Sequence, residues 1–154
     1  MAEIEHFVDP TNKDHSKFKN VAAQVLPLWT ADAQESMGPV ISMSVGEAVE
    51  KKSIGNQTIA YFMARTYLFL TSCGINDDAI RFRQHRSNEM AHYAQDCWDA
   101  EVETSYGWIE VAGHSDRACF DLTKHAEKTK VDMFAARPLK ESKVVKFIVI
   151  TLDK

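Results

Sequence analysis

The sequence predicts an α+β fold, an antiparallel β-sheet with flanking helices packed against it. Several segments alternate apolar and polar residues with a period of two, which is typical of strands with one buried face. Between them, residues 57–73 form a long apolar segment with capping residues at both ends, which predicts a helix. At 154 residues the chain has the size of one domain and is long enough to bury a hydrophobic core.

The composition argues against several classes of protein. A formal net charge of −4, with basic residues scattered along the chain, is not typical of a dedicated nucleic-acid-binding protein. Three cysteines (Cys73, Cys97 and Cys119) without a CxxC pair indicate thiols in a reducing compartment. The first residues contain no apolar signal region, and no stretch reaches about 18 uninterrupted apolar residues. We therefore expect a cytoplasmic protein that does not associate with membranes.

The N-terminal third combines one clear strand with an ambiguous segment. Residues 1–8 alternate with a period of two, with Glu3 and Glu5 on one set of positions and Ala2, Ile4 and Val8 on the other. This pattern predicts a strand that ends before Pro10. Residues 21–33 are ambiguous because Pro27 disfavours both an uninterrupted helix and a central strand. Residues 46–52 are expected to form a short helix.

The helix predicted over residues 57–73 is the strongest in the chain. Asn56 is its expected N-cap and Gly74 its expected C′ residue. Arg65 is its only charged residue, and apolar residues lie on every side of the helix. A helix of this kind is buried, either inside the domain or under a partner surface.

The C-terminal half predicts further strands and one helix. Alternating residues mark the strands, and Ser115 is a candidate N-cap for the helix that follows the last of them. The predicted elements are a strand over residues 79–84, two strands over 96–103 and 107–112 joined by a turn, a helix over 116–129, and a final strand over 144–150.

Two carboxylates are candidates for ligand binding. Glu110 lies in the middle of a predicted strand, on the same face as Trp108 and Ala112, and a carboxylate buried among apolar neighbours requires a partner. That partner is an ammonium group, a nucleotide or Mg²⁺, unless the residue faces solvent. Glu3 shares a strand face with Glu5 and is either an acceptor for an ammonium group or part of a polar outer face.

Arg117 is a candidate for anion binding. It falls in the first turn of the helix predicted to follow the Glu110 strand, where backbone N–H groups and the helix dipole favour anions. Its guanidinium group can bind a carboxylate or a phosphate with two hydrogen bonds. The alternative is a local surface pair with Asp116, which contributes little.

Two other groups of residues carry weaker signals. Arg81 and Arg83 fall on one strand face and either contact phosphate or form a salt-bridged surface, which is the interpretation we favour. The spacing of the cysteines and histidines matches no compact zinc motif, so no zinc is expected. The set considered for zinc is Cys97, His114, Cys119 and His125.

Residues 81–117 read RFRQHRSNEMAHYAQDCWDAEVETSYGWIEVAGHSDR, and two further segments read AEIEHFVDP and YFMAR. These segments resemble the catalytic domain of glycyl-tRNA synthetases of the eukaryotic and archaeal type, which are class II aminoacyl-tRNA synthetases. The resemblance extends from MAEIEHFVDP to PLKESKVVKF. It implies that residues 1–154 are an internal fragment of that domain, from the end of the second class-defining motif to a point before the third.

The resemblance also implies a function and a set of site residues. Glycyl-tRNA synthetases activate glycine with ATP and Mg²⁺ to glycyl-adenylate and transfer the glycyl group to tRNA(Gly). Glu3 would bind the glycine ammonium group, and Arg117 would face the glycine carboxylate or the α-phosphate. The residues implied for glycine are Met1, Ala2, Glu3, Ile4 and Arg117, and those for ATP are Glu110, Val111 and Arg117, with Glu110 also a contact for Mg²⁺.

A fragment of this kind is expected to be inactive alone. The partners implied for the full-length parent are glycine, ATP and tRNA(Gly), together with a second copy in a homodimer or the missing synthetase segments. A mitochondrial copy is also compatible with the resemblance. The alternative function is that of a non-catalytic interaction or assembly module, a split or truncated piece that requires a partner chain.

Overall fold

A computed structural model describes residues 1–134 together with residues 136, 138 and 144. The chain divides into two compact units, Met1–Asp121 and Leu122–Lys154, and the sheet described here belongs to the first. The strands are β1 (Val25–Trp29), β2 (Ile41–Ser44), β3 (Ile80–Gln84), β4 (Asp96–Thr104) and β5 (Gly107–Asp116), and the helices are α1 (Ala31–Glu35), α2 (Val45–Glu50), α3 (Gln57–Ser72) and α4 (Phe120–Thr129).

The sheet is mixed and has the strand order β2-β1-β3-β4-β5. Three of its four strand pairs are antiparallel, and β1 and β3 are parallel. Parallel pairing is possible because the chain crosses over through β2 and three helices between β1 and β3. The predicted α+β class is confirmed, with one parallel pair within a mainly antiparallel sheet.

The strand predicted over residues 1–8 is wrong. These residues are exposed and belong to no strand, and the nearest bridge joins Asp9 to Asn12. A strand needs a neighbour to satisfy its backbone N–H and C=O groups, and no neighbouring strand pairs with this segment within the described part of the chain. The segment instead contacts α3, where the His6 ring lies 5.2 Å from that of Phe62.

The ambiguous segment that contains Pro27 forms β1. Pro27 pairs with Ser42 of β2, whereas the pairing with β3 begins only at Leu28. Pro27 therefore lies outside the hydrogen-bonded register with β3, and the missing N–H of proline is tolerated there. The predicted short helix is confirmed as α2.

Helix α3 is confirmed with the predicted caps. The Asn56 side-chain oxygen accepts from the backbone N–H groups of Thr58 at 3.0 Å and Ile59 at 3.1 Å. Gly74 has a φ of +89°, the left-handed conformation that ends a helix. Burial of the helix is one-sided, because Leu68 and Phe69 are 39% and 64% exposed.

The core lies between α3 and one face of the sheet. Successive strand residues point to opposite faces, so the residues between the core positions form a second face. We call this second face of β3, β4 and β5 the polar face, because it carries Arg81, Arg83, Cys97, Asp99, Glu101 and Glu110. The largest fully buried side chains of the core are Trp98, Phe82, Leu26, Leu28, Ile54, Met63, Ile80 and Val45.

The β4–β5 hairpin contains a bulge that changes the predicted faces of β5. Ala100 pairs with Ala112 and Glu101 with Glu110, so Val111 has no opposite residue. One extra residue reverses the alternation of side chains. Ala112 therefore packs against the core, whereas Glu110 lies on the polar face. The prediction that both residues share a face is wrong for this reason.

The predicted start of the last described helix is also wrong. Strand β5 extends to Asp116, because Ser115 pairs with Cys97 and Asp116 with Asp96. Helix α4 begins at Phe120, and Ala118 in the intervening turn has a positive φ of 50°. The strand predicted over residues 144–150 falls outside the described residues, apart from Val144.

No helix in the described ranges is long and apolar enough to cross a membrane.

Replacing Asn56 by alanine is expected to lower the free energy of unfolding by about 1–2 kcal/mol, because two N–H groups at the start of α3 lose their acceptor. The variant also loses the hydrogen bond from Asn56 to Asp116, 2.8 Å long. Urea unfolding measures the loss. Asn76→Ala is the matched control, because Asn76 precedes a 3₁₀-helix without a side-chain cap and should cost less than about 0.5 kcal/mol. Equal costs would contradict a capping role for Asn56.

Candidate functional site

The polar face is organised by a ladder of alternating charges, which we call the charge ladder. Arg81 donates from Nε to Oε2 of Glu101 at 2.6 Å. Arg83 donates from Nε to Oε1 of the same glutamate at 3.2 Å and from Nη2 to Oδ2 of Asp99 at 2.9 Å. The register of β3 and β4 causes this arrangement, since it pairs Arg81 with Glu101 and Arg83 with Asp99. The favoured interpretation of the two arginines as a salt-bridged strand face is confirmed.

The ladder continues into the loop after β3. Arg83 donates from Nη1 to Glu89 at 3.0 Å, and Arg86 donates from Nη2 to Glu89 at 2.7 Å. Hydrogen bonds from the Arg86 side chain and backbone, followed by those of Arg83, lower the pKa of Glu89 to about 2. Glu89 therefore remains ionised over the whole physiological range of pH.

Arg81 is held on both sides by aromatic rings. Its guanidinium carbon lies 4.4 Å from the ring centre of Trp29 and 4.1 Å from that of Trp108. Both distances fall within the range of cation–π attraction. Two rings and one carboxylate fix this guanidinium group, so it is part of the framework of the face.

Glu110 is exposed and lies on the polar face opposite Glu101. Like charges on directly opposite strand residues repel, and the two arginines bound to Glu101 offset this repulsion. A β-carbon on Gly113 would come within 3.3 Å of Glu110 Oε1, so the glutamate side chain lies over that glycine. Among the described residues, no hydrogen bond or ion pair engages the Glu110 carboxylate. It is therefore available to a ligand.

Arg117 lies in the turn between β5 and α4, so its predicted place in the first turn of a helix is wrong. It donates from Nε to Oδ2 of Asp121 at 2.7 Å and from Nη2 to Oδ1 at 3.0 Å. Its guanidinium carbon is 3.8 Å from the ring centre of Tyr93. The hydrogen bonds to Asp121 raise the pKa of Arg117. The local partner is Asp121, because Asp116 is bound to Lys13 and Asn56 instead.

The remaining predicted site residues form the exposed N-terminal segment. Met1, Ala2, Glu3 and Ile4 lie outside regular structure. Within the ranges that the structure describes, no hydrogen bond or ion pair joins Glu3 to Glu110 or to Arg117. The predicted residues therefore lie on three separate elements of the fold: the N-terminal segment, the bulged strand β5 and the turn after it.

A group of residues that the sequence analysis did not single out lies beside the charge ladder. His85, Cys97 and Asp99 carry a nitrogen, a sulfur and an oxygen within 4.8 Å of one another. Burial raises the pKa of the Cys97 thiol, and the charge of Asp99 raises it further. The set considered for zinc is different, and two of its members lie on opposite faces. His114 faces α3, where its Nε2 is 2.8 Å from Thr66 Oγ1, whereas Cys97 is on the polar face.

Curated relatives identify the class to which the chain belongs, that of the aminoacyl-tRNA ligases. The chain is 53% identical over 148 residues to a glycine–tRNA ligase of Caenorhabditis elegans, which covers 96% of this chain and 20% of the relative. It is 58% identical over 132 residues to glycine–tRNA ligase 2 of Saccharomyces cerevisiae, and the match covers 84% of this chain and 21% of the relative. No protein-family profile matches the chain.

By sequence the chain belongs to the glycine–tRNA ligase family. A putative glycine–tRNA ligase of Schizosaccharomyces pombe is 46% identical over 155 residues, all of this chain and 24% of the relative. The chain thus spans about a fifth to a quarter of the length of these relatives. Other relatives are named as cytoplasmic in Arabidopsis thaliana and as mitochondrial in Saccharomyces cerevisiae.

Replacing Glu101 by alanine should lower the free energy of unfolding by about 3 kcal/mol, because it leaves two arginines without their shared carboxylate in a largely buried place. The Arg81 and Glu101 side chains are 15% and 11% exposed. Chemical unfolding measures the loss. Glu47→Ala is the control, because its pair with Lys51 is 2.6 Å long but about half exposed and should contribute less than about 0.5 kcal/mol. A loss for Glu101→Ala as small as that of the control would show that the charge ladder does not stabilise the fold.

Glu89 predicts a pH-dependent contribution to stability. Its pKa is lowered from 4.5 to about 2 in the folded chain, so the folded state binds the proton more weakly than the unfolded state. The stabilisation is complete above pH 4.5 and is lost as the pH falls towards 2. The melting temperatures of the parent chain and of Glu89→Gln should differ near pH 6 and converge near the acid limit. A difference that stays constant with pH would contradict this assignment.

Proposed function

We propose that this chain forms part of the substrate-binding surface of a glycine–tRNA ligase. In this proposal, residues 1–154 are a piece of a class II catalytic domain, from the end of its second motif to a point before its third. The parent enzyme joins glycine to the AMP part of ATP with release of pyrophosphate, and transfers the glycyl group of the resulting glycyl-adenylate to tRNA(Gly). The similarity to glycine–tRNA ligases over nearly the whole chain is the observation that carries this proposal.

Glycine would be bound by the N-terminal segment. The carboxylate of Glu3 accepts hydrogen bonds from the glycine ammonium group, a charge-assisted interaction of the stronger kind. Met1, Ala2 and Ile4 form the wall beside it. A wall that leaves no room for a β-carbon selects glycine, and a polar pocket discriminates better than an apolar one, where a methyl group contributes only about 1–3 kcal/mol. The exposure of this segment leaves Glu3 accessible to a substrate.

ATP would be bound along the bulged part of β5. Val111, the residue of the bulge, is 49% exposed and offers an apolar contact beside the Glu110 carboxylate. One carboxylate oxygen together with phosphate oxygens is a ligand set that suits Mg²⁺, so Glu110 fits a role in holding the ion of an ATP–Mg²⁺ complex. The ion would neutralise charge on the phosphates when it is bound.

Arg117 would position the reacting groups. When it exchanges Asp121 for a substrate anion, its guanidinium group binds the glycine carboxylate or the α-phosphate with two hydrogen bonds. A carboxylate oxygen of glycine then attacks the α-phosphorus, and the bond to pyrophosphate breaks on the opposite side. This reaction requires orientation and charge neutralisation by the protein, and no nucleophilic side chain is needed.

The chain is proposed to be inactive alone and to work in the cytoplasm as part of a larger assembly. Its partners would be a second copy in a homodimer or the remaining segments of the synthetase. The alternative function, a non-catalytic assembly module, is favoured by one observation: apolar residues of α3 and of the N-terminal segment are exposed. Among them Phe69 is 64% and Phe7 71% exposed.

Calorimetric titration with a non-hydrolysable glycyl-adenylate analogue tests the binding proposal. The chain is expected to bind the analogue, and Glu3→Ala and Glu110→Ala should each weaken binding by about tenfold or more, the usual effect of removing a hydrogen bond to a charged group. Glu47→Ala, which removes an exposed glutamate from α2, is the control and should leave the affinity unchanged.

Either of two results would contradict the binding proposal. Binding that neither substitution weakens would exclude Glu3 and Glu110 as ligand contacts. The absence of binding by a chain with intact circular dichroism would support the assembly module instead. Inactivity is tested separately by glycine-dependent ATP–pyrophosphate exchange, where robust exchange by the purified chain would overturn it.

A further inference from the structure

The group formed by His85, Cys97 and Asp99 has the composition of a metal site. Cys97 and Asp99 are two residues apart on β4, so their side chains share the polar face. The backbone N–H of His85 donates to the carbonyl of Cys97 at 2.9 Å, which extends the pairing of β3 and β4 by one residue. The regular geometry of two paired strands therefore holds the three side chains together.

The imidazole of His85 has an unsatisfied nitrogen. Its Nε2 lies 2.9 Å from both carboxylate oxygens of Asp99. Its Nδ1 is buried and has no hydrogen-bond partner among the residues described. A buried nitrogen of this kind is uncommon in folded proteins, but Nε2 is the nitrogen that lies beside Asp99 and that would bind an ion shared with that carboxylate.

We propose that His85, Cys97 and Asp99 bind a zinc ion. One imidazole nitrogen, one thiolate sulfur and one carboxylate oxygen are all established zinc ligands, and three protein ligands leave a fourth position for water or another ligand. The thiolate and the carboxylate together balance the charge of the ion. The thiol proton is released to solvent when the sulfur binds. This site lies on the same face as Glu110, but it uses none of the residues proposed above for glycine or ATP and does not depend on that proposal.

The distances require only a small adjustment. Ligand atoms around a tetrahedral zinc lie about 3.5 Å apart, given bond lengths of about 2.0–2.3 Å. The three atoms here already lie within 4.8 Å of one another, so side-chain rotations bring them to the ion. Asp99 also accepts from Arg83, but Arg83 contacts Glu89 and Glu101 as well. The arginine therefore keeps two carboxylate partners when Asp99 turns towards the ion.

Cobalt(II) titration of the full 154-residue chain tests the site, because a cobalt–thiolate bond absorbs light at wavelengths where a cobalt site with only nitrogen and oxygen ligands does not. The background is the Cys73→Ser/Cys119→Ser chain, in which both exposed cysteines are removed and Cys97 is the remaining thiol. We expect one cobalt per chain with thiolate absorption, displaced by zinc. Cys97→Ser should abolish that absorption, and His85→Ala should weaken cobalt and zinc binding by more than about tenfold.

A second measurement avoids any change at the site. In the same background, zinc should protect Cys97 from alkylation, and a chelator should restore its reactivity. Ser44→Ala, which changes a helix cap far from the group in sequence, is the control and should bind cobalt as the background does. Cobalt binding without thiolate absorption, equal zinc binding by His85→Ala, or unchanged alkylation of Cys97 in the presence of zinc would each overturn the proposal.

Discussion

The arrangement of charges on the polar face depends on two buried carboxylates, each of which requires a cationic partner. Asp99 and Glu101 are nearly inaccessible to solvent, and an unpaired charge in such a place is strongly destabilising. The register of β3 and β4 supplies Arg81 and Arg83 directly opposite them. These four groups satisfy one another, whereas Glu110, which has no hydrogen-bond or ion-pair partner among the described residues, is open to a ligand. The register of β3 and β4 thus separates the paired charges that stabilise the fold from Glu110, which is accessible to a ligand.

Local signals were sufficient to predict α2, α3, β3 and the β4–β5 hairpin, whereas the segment of β1 was ambiguous and α1 and β2 were not predicted. Asn56 and Gly74 mark the ends of α3 because caps are set by neighbouring backbone groups, and alternation predicts β3 and the β4–β5 hairpin. Where the prediction failed, a long-range contact decided the outcome. Residues 1–8 have the alternation of a strand but no strand to pair with, and Ser115 is drawn into β5 by its pairing with Cys97.

The candidate site was predicted less completely than the fold. The strand that contains Glu110 was predicted, but its side-chain face was not, since the bulge at Val111 depends on how two strands align. Asp99 and Glu101 were detectable from the sequence. They are two residues apart, as are Arg81 and Arg83, and a comparison of the two predicted strands would have shown that their opposite charges can pair. The ring of Tyr93 beside Arg117 is a tertiary contact with no sequence signature, whereas the pair of Arg117 with Asp121 is local, with the two residues four positions apart in the chain.

The three tryptophans of the chain divide between the two faces of the sheet in a way that has a spectroscopic consequence. Trp98 is fully buried in the core, whereas Trp29 and Trp108 flank the Arg81 guanidinium group on the polar face. Indole emission depends on the polarity and charge around the ring. The chain therefore carries two intrinsic fluorophores where a ligand would alter their surroundings, and a third whose emission follows the integrity of the core. A change in indole emission from a chain with intact circular dichroism would thus report occupancy of the polar face without any added label.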